Sequence, residues 1–444
     1  MSGSFLKSFH FTPLFFTTGA ASVFLCAFGF AFPVIFLVGQ LVIALMIAVT
    51  IADIFLLYRR NIRISAARKT PRNLGLGDDT RVVLHLEYHG TLPLDALVID
   101  ELPEQLQIRN LEIPLKLISG WNITQYTIRP TMRGVYHFGR LHIFIESPIH
   151  FVKRKISLPI EANIAVYPSV AQMHAVEMRA ISRVNNLSGN KRFRRIGLSY
   201  EFEQIAPFVE GDNYRNMNWK ATGKTRELMI NQYQDERSQN MYCVVSKGRA
   251  MKMTFKGMSM LDYAINSTLA ISNVGLKKYD KVGLITFSNK IGTAIRADNR
   301  HGQLQKINEA LYAERERDLE PSYELLYRSI DRIAPNRSLL LMFANFETMY
   351  MMDRALPILR KINKKHLLVM ILFKDEDLME KVKKEKVALD DIYEITLAKK
   401  HLSEREEIAG RLRHHGIQTV VSSPKDLSIN VINKYLELKS RGII

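Results

Sequence analysis

The stretch Tyr242-Cys243-Val244-Val245-Ser246-Lys247-Gly248-Arg249-Ala250 reads as a short, wholly apolar strand running straight into a basic, glycine-containing loop. An apolar run this short, without polar alternation, fits a strand covered on both faces of a sheet. Strand patterns of the same kind recur at Lys281–Phe287, Ser338–Phe343, His366–Phe373 and Ile417–Val421. Amphipathic helical spacing falls near 260–277, 302–315, 323–332, 350–363, 376–385, 403–414 and 425–439. Strands separated by helices of this length predict a doubly wound α/β domain over 240–444, with a parallel sheet and any ligand at the carboxyl ends of its strands. The Ser246–Ala250 loop lies on that edge.

Ahead of this domain, residues 171–239 read as a connecting segment. A helix-like stretch from Met173 gives way to Asn185-Asn186-Leu187-Ser188-Gly189-Asn190 and then to Lys191-Arg192-Phe193-Arg194-Arg195. One five-residue basic cluster reads as a solvated loop before it reads as a nucleic-acid or lipid site. Further on, polar residues crowd around a single tryptophan: Glu201-Phe202, Gly211-Asp212, Arg215, Trp219-Lys220-Ala221 and then Glu236. This ordered set resembles the signature of the bacterial domain-of-unknown-function family numbered 58. Arg129-Pro130, Arg133-Gly134-Val135-Tyr136, Gly139 and Ser147-Pro148 resemble the upstream region of the same family. The resemblance implies a C-terminal domain like the von Willebrand factor type A domain and a partner among MoxR-type AAA+ ATPases. It implies no defined reaction.

In a von Willebrand type A domain, the loop after the first strand carries Asp-x-Ser-x-Ser, and a threonine and an aspartate from later loops complete a magnesium site. Such oxygen ligands suit a hard cation. By this resemblance Ser246 stands at the aspartate position, Gly248 and Ala250 at the serine positions, and Asn345 near the later aspartate. Lys247 and Arg249 bring positive charge where a cation would sit. The expectation is therefore that no magnesium or other cofactor binds. The loop is then either a contact for an anion or acidic partner through Lys247 and Arg249, or a plain cap on the sheet.

No catalytic residue is assigned. Gly223-Lys224-Thr225 lacks the first glycine of a phosphate-binding loop, and Gly-x-Ser-x-Gly is absent. Thr286 and Ser288 end a strand pattern without a neighbouring histidine, and His414-His415 closes a helix, where cations complement the dipole.

Residues 61–170 show short period-two runs such as Arg81–Tyr88 and Leu141–Ile145 between turn residues, which predicts an all-β sandwich. His85 and His89 share a strand face there rather than a metal-binding helix face. Before them, Phe11 to Tyr58 runs 48 residues with one charged side chain, Asp53. As helix that is roughly 72 Å, about twice a bilayer core, so a transmembrane hairpin is expected near 12–31 and 34–57, broken around Phe28–Pro33. Asp53 is expected to pair with an arginine at the interface. Arg59, Arg60, Arg63, Arg68, Lys69 and Arg72 follow without an acid, which places that flank, and with it the N-terminus and soluble body, in the cytoplasm. A cleaved signal peptide would have a shorter apolar stretch.

Over the whole chain 62 lysines and arginines face 44 acids, so anionic surfaces attract it. Two cysteines, Cys26 and Cys243, exclude a disulfide framework and fit a reducing compartment. A membrane-anchored interaction protein is the leading expectation. A divalent-metal-dependent binding domain or enzyme is one rival; a protein that binds lipid headgroups or nucleic acid is the other.

Overall fold

The structure, a computed structural model, describes residues 8–443 apart from 31, 60–61, 91–92, 110, 170–172, 174–200, 211, 235–238 and 375–388. The basic cluster at 191–195, Gly211, Glu236 and the helix expected near 376–385 lie outside the described residues. The chain divides into two units, Met1–Tyr167 and Pro168–Ile444.

In the first unit, strand β1 (Phe9–Phe11) leads into helix α1 (Pro13–Gly29) and then α2 (Pro33–Arg59). The Thr12 hydroxyl caps α1 by accepting from the Phe15 amide at 3.4 Å, with proline in the first turn. Pro33–Tyr58 is long and apolar enough to cross a membrane. The apolar α1 is shorter, at 17 residues. The two helices run antiparallel at close range: a Cβ on Gly39 would lie 2.6 Å from Cys26 Sγ.

Among the described residues the strands that follow are β2 (Arg63–Lys69), β3 (Asn73–Gly75), β4 (Thr80–His89), β5 (Leu94–Asp100), β6 (Glu112–Leu117), β7 (Gly120–Ile128), β8 (Gly134–Phe138), β9 (Leu141–Glu146), β10 (Val152–Leu158) and β11 (Ala162–Tyr167). They form sheets of order β1-β10-β9-β5-β6, β2-β4-β7 and β3-β11-β8. Alternate residues turn inward, as Val82, Leu84, Leu86 and Tyr88 do on β4. Arg68 on β2 and Asp100 on β5 form a buried ion pair across two sheets. Arg68 also donates to the carbonyls of Ile160 at 2.8 Å and Gly139 at 3.0 Å, and the Tyr126 hydroxyl donates to Asp100.

The expected Asp53–arginine pair is replaced by a different contact. Asp53 is fully buried and accepts from the Ser147 hydroxyl and from the Phe151 amide at 3.2 Å. The β9–β10 turn therefore clasps α2 from the side, and Thr12 donates to the same turn at the His150 carbonyl. β1, which precedes the helices, pairs antiparallel with β10, which follows them.

In the second unit, β12 (Glu201–Pro207) and β13 (Met229–Gln234) form an antiparallel ribbon around the short helix α3 (Trp219–Thr225). Then come β14 (Asn240–Ser246), the small ribbon β15 (Thr254–Phe255) and β16 (Met258–Ser259), α4 (Met260–Lys277), β17 (Lys281–Phe287), β18 (Ile291–Asp298), α5 (Gln303–Ala313) and α6 (Tyr323–Ile333). β19 (Leu339–Phe343), α7 (Met349–Lys365), β20 (Leu367–Phe373), α8 (Leu389–His414), β21 (Gln418–Ser422) and α9 (Leu427–Ser440) complete it. The sheet order is β18-β17-β14-β19-β20-β21. Both faces are covered: β14 sends Met241, Cys243 and Val245 into a cluster with α4, α5 and α9, and Tyr242 and Val244 into one with α6, α7 and α8.

One feature departs from the all-parallel expectation. β18 is an edge strand antiparallel to β17. Its alternation of intermediate and exposed residues marks a one-sided strand, a weaker signal than the apolar runs of its neighbours.

Candidate functional site

The carboxyl ends of β14, β17 and β19 meet at the Ser246–Ala250 loop. Ser246 is buried, and its Oγ lies 3.5 Å from the Gly248 amide as acceptor. The Lys247 amide donates to the Phe287 carbonyl at 2.7 Å, tying the loop to β17. Across this edge runs the segment 314–322 that links α5 to α6. Its Arg317 amide donates to the Lys247 carbonyl at 2.9 Å, the Leu319 carbonyl accepts from Arg249 at 3.3 Å, and the Ser322 amide reaches the Ser288 carbonyl at 2.9 Å. A Cβ on Gly248 would lie 2.8 Å from Pro321 Cδ, so only glycine lets the segment lie this close.

Lys247 turns inward. Its ammonium forms an ion pair with Glu314, with side chains 5% and 7% exposed. Glu314 also accepts from Thr286 Oγ1 at 2.6 Å and from Thr293 Oγ1 at 2.7 Å. Burial alone would raise the Glu314 pKa, but the hydrogen bonds from Lys247, Thr286 and Thr293 outweigh it and hold the carboxyl below its ordinary value. Gly292 leaves room for the cluster, since a Cβ there would lie 2.5 Å from Lys247 Nζ.

The remaining positions are equally committed. Arg249 makes a bidentate pair with Glu347, at 2.9 and 2.7 Å, on the surface. Ala250 and Asn345 are buried, and Asn345 accepts from Arg405. This donor set does not fit a magnesium ion. Of the positions Ser246, Gly248, Ala250 and Asn345, none supplies a carboxylate, and the oxygen-rich cluster at this edge already holds a lysine ammonium. Lys247 is likewise not turned to solvent for an anion, whereas Arg249 is half exposed.

The sequence offered no route to Glu314 or Thr293. Glu314 opens the run Glu-Arg-Glu-Arg-Asp, which has the look of a solvated charge stretch, and its partner stands 67 residues earlier.

The described signature residues, Glu201, Phe202, Asp212, Arg215, Trp219 and Lys220, stand on the β12–β13 ribbon. Asp212 Oδ2 closes a turn by accepting from the Val209 amide at 3.0 Å. Asn218 caps α3 through the Ala221 amide at 3.0 Å and reaches Asn231 at 2.8 Å, and Thr222 Oγ1 accepts from Met229 at 3.0 Å. On this pinned frame Trp219 is 70% and Tyr214 76% exposed, with Arg215 and Lys220 exposed beside them. Of Glu201 and Phe202 the structure gives the backbone, in β12.

Two groups with chemistry in their side chains lie elsewhere. Burial pushes the Cys243 thiol up to about 12, which leaves it protonated and unreactive at neutral pH. On the β unit, Ser157 meets His142 Nδ1 at 2.9 Å and Glu101 meets His142 Nε2 at 2.6 Å. The order resembles a hydrolytic triad, but the ring nitrogens are used the opposite way round. Ser157 and His142 are direct cross-strand partners, so the chain of contacts is a sheet-surface pairing.

Among solved structures, BatB of Bacteroides thetaiotaomicron is similar at 9% identity and TM-score 0.28, over 46% of this chain and 99% of that one. The CARDB domain of PF1109 from Pyrococcus furiosus is similar at 11% identity and TM-score 0.17, over 24% of this chain and 93% of that one. The uncharacterized protein YeaD of Bacillus subtilis strain 168 is 21% identical over 181 residues, 39% of this chain and 45% of YeaD, so the similarity spans about half of that relative. Residues 204–417 match the family described as protein of unknown function DUF58, which takes in Asp212 through Lys220, the Ser246–Ala250 loop and Asn345: the chain carries a DUF58 domain.

Proposed function

We propose that this protein is a membrane-anchored docking protein whose DUF58 domain binds a partner protein through the β12–β13 ribbon, without a bridging divalent cation. One observation carries the reading: Tyr214 and Trp219 project into solvent from a ribbon pinned by its own hydrogen bonds, flanked by Arg215 and Lys220. Rigid exposed aromatics beside arginine are the usual anchors of a protein interface, because they bury area at small entropic cost. The partner class is the MoxR-type AAA+ ATPase that the family resemblance implies. The α/β unit acts as a von Willebrand type A-like body whose cation position has been given over to internal contacts, with Lys247 and Glu314 paired beneath the segment 314–322.

The anchor is a two-helix hairpin in the cytoplasmic membrane. Pairing of β1 with β10 supports it, because the strand before α1 and the strands after α2 then share one side of the bilayer. Arginines just past α2 favour the cytoplasmic side.

Purification of the full chain from detergent-solubilised membranes tests the docking. A MoxR-type ATPase should accompany it, persist in a chelator, and bind roughly thirty-fold more weakly to Trp219→Ala, as loss of a hot-spot residue predicts. Absence of any stoichiometric partner, or unchanged binding by Trp219→Ala, sinks the reading. Saturable magnesium or manganese binding in calorimetry would remove its cation-free part.

A further inference from the structure

We propose that the β6–β7 tip, with Ile118, Trp121 and Ile123, is a second contact with the same bilayer that holds the helices, so that the β unit stands on the membrane surface. This rests on reading α1 and α2 as the anchor. α2 is roughly 40 Å long against a hydrocarbon core of roughly 30 Å, so a core that begins at Pro33 ends near Asp53. The β9–β10 turn is clasped to Asp53 through Ser147 and Phe151, which brings one end of the β unit down to the membrane surface.

Two independent registers put the β6–β7 tip at that same end. In one sheet, β9 leaves Ile145 opposite Ala96 just before the clasping turn, and Leu94 stands opposite Leu117, the last residue of β6. In the other, Arg63, the first residue of β2 after the membrane helix, stands opposite His89, and the neighbouring Tyr88 and Glu87 stand opposite Gly120 and Trp121. β7 is two strands over from β2, about 10 Å away.

The tip has the chemistry of an interfacial contact. Ile118, Trp121 and Ile123 are 62%, 66% and 62% exposed, and Trp121 and Ile123 project from the same face of β7. β7 carries no charged residue along its length. Asn122 fixes the tip, donating to the carbonyls of Ile118 at 2.7 Å and Gly120 at 3.2 Å and accepting from the Ile118 amide at 2.9 Å. A tryptophan held rigidly at headgroup level, with isoleucines beside it, is the composition of a membrane-interface belt. The opposite end of the unit instead carries charged turns such as Asp78-Asp79 and Glu104.

The chain has two tryptophans, so Trp219→Phe leaves Trp121 as the sole indole. The full-length variant is reconstituted into vesicles of phosphatidylethanolamine and phosphatidylglycerol in which some lipids carry a spin label near the headgroup or, separately, deep in the acyl chain. A companion protein, Trp121→Phe with Trp219→Phe and Leu45→Trp, places the sole indole on an outward flank of α2, where Leu45 is 64% exposed. The headgroup label should remove about half of the Trp121 emission and the vesicles should shield it from aqueous acrylamide, as an interfacial indole requires. If acrylamide reaches Trp121 and neither label quenches it, while the deep label quenches the Leu45→Trp indole, the tip contact is wrong and the anchor stands. If no label quenches the Leu45→Trp indole, the anchor is wrong and the tip contact falls with it.

Discussion

Among the described residues, each unit of the molecule has a buried ion pair, and the two pairs differ in what they hold. Arg68–Asp100 joins two sheets of the β unit, and the arginine spends its remaining donors on backbone carbonyls, so the pair is a rivet in a scaffold. Lys247–Glu314 joins a strand end to a connecting segment, and Glu314 also accepts from the hydroxyls of Thr286 and Thr293 and from the Thr293 amide. It fastens a cover over the edge where an α/β sheet would receive a ligand. A guanidinium presents a rigid fork that meets several acceptors at once, while an ammonium is a point charge on a flexible stem. The rivet is therefore the harder of the two to replace.

The largest expected effect follows directly. Arg68→Met should cost about 4 kcal/mol, since it leaves Asp100 charged and buried and strips two carbonyls of their donor. Hydrogen exchange read by mass spectrometry should show the loss across β2, β5 and β7 while the sheet around β14 keeps its protection. Equal loss in both units would mean that they do not unfold separately, and the contrast would lose its basis.

Next comes the cover. Lys247→Met should cost about 3 kcal/mol, and the double change Lys247→Met with Glu314→Met should recover most of it, because removing a whole buried pair spares the cost of an orphaned charge. The same exchange measurement, read over 314–322, decides it. Acid should act on the wild-type cover as well. Glu314 is held below its ordinary value in the fold, so its contribution is present above about pH 4.5 and is lost as pH falls through the lower folded value. The double variant should lose that part of the pH dependence, and a cover that still loosens in acid without Glu314 would point to another carboxylate.

Much of this architecture was legible because it rests on local pattern. Apolar runs revealed the strands β14, β17, β19 and β20, and the 48-residue apolar stretch revealed the helical pair. β18 escaped because an edge strand alternates weakly and faces solvent on one side. The Asp53 contact is hidden from local pattern for a different reason. A neighbouring arginine is visible in sequence, whereas Ser147 lies 94 residues away and becomes a donor only when the β9–β10 turn folds against α2. For Lys247, the sequence leaves open a contact for an anion or acidic partner or a plain cap on the sheet, and neither turns the ammonium inward. The partner that turns it inward is fixed by the register of α5 against β17 and β18, which no spacing announces.

The smallest effect separates the cover's interior from its rim. Arg249 and Glu347 make two well-formed hydrogen bonds, yet their side chains are 52% and 31% exposed. Water competes for both charges, so Arg249→Ala should change stability far less than Lys247→Met does and leave exchange over 314–322 nearly unaltered. Raising salt should shrink even that difference, whereas the buried Lys247–Glu314 pair should barely respond. If Arg249→Ala instead loosens the segment as much as Lys247→Met does, the cover is held from its rim, and the inward turn of Lys247 is a consequence of closure rather than its cause.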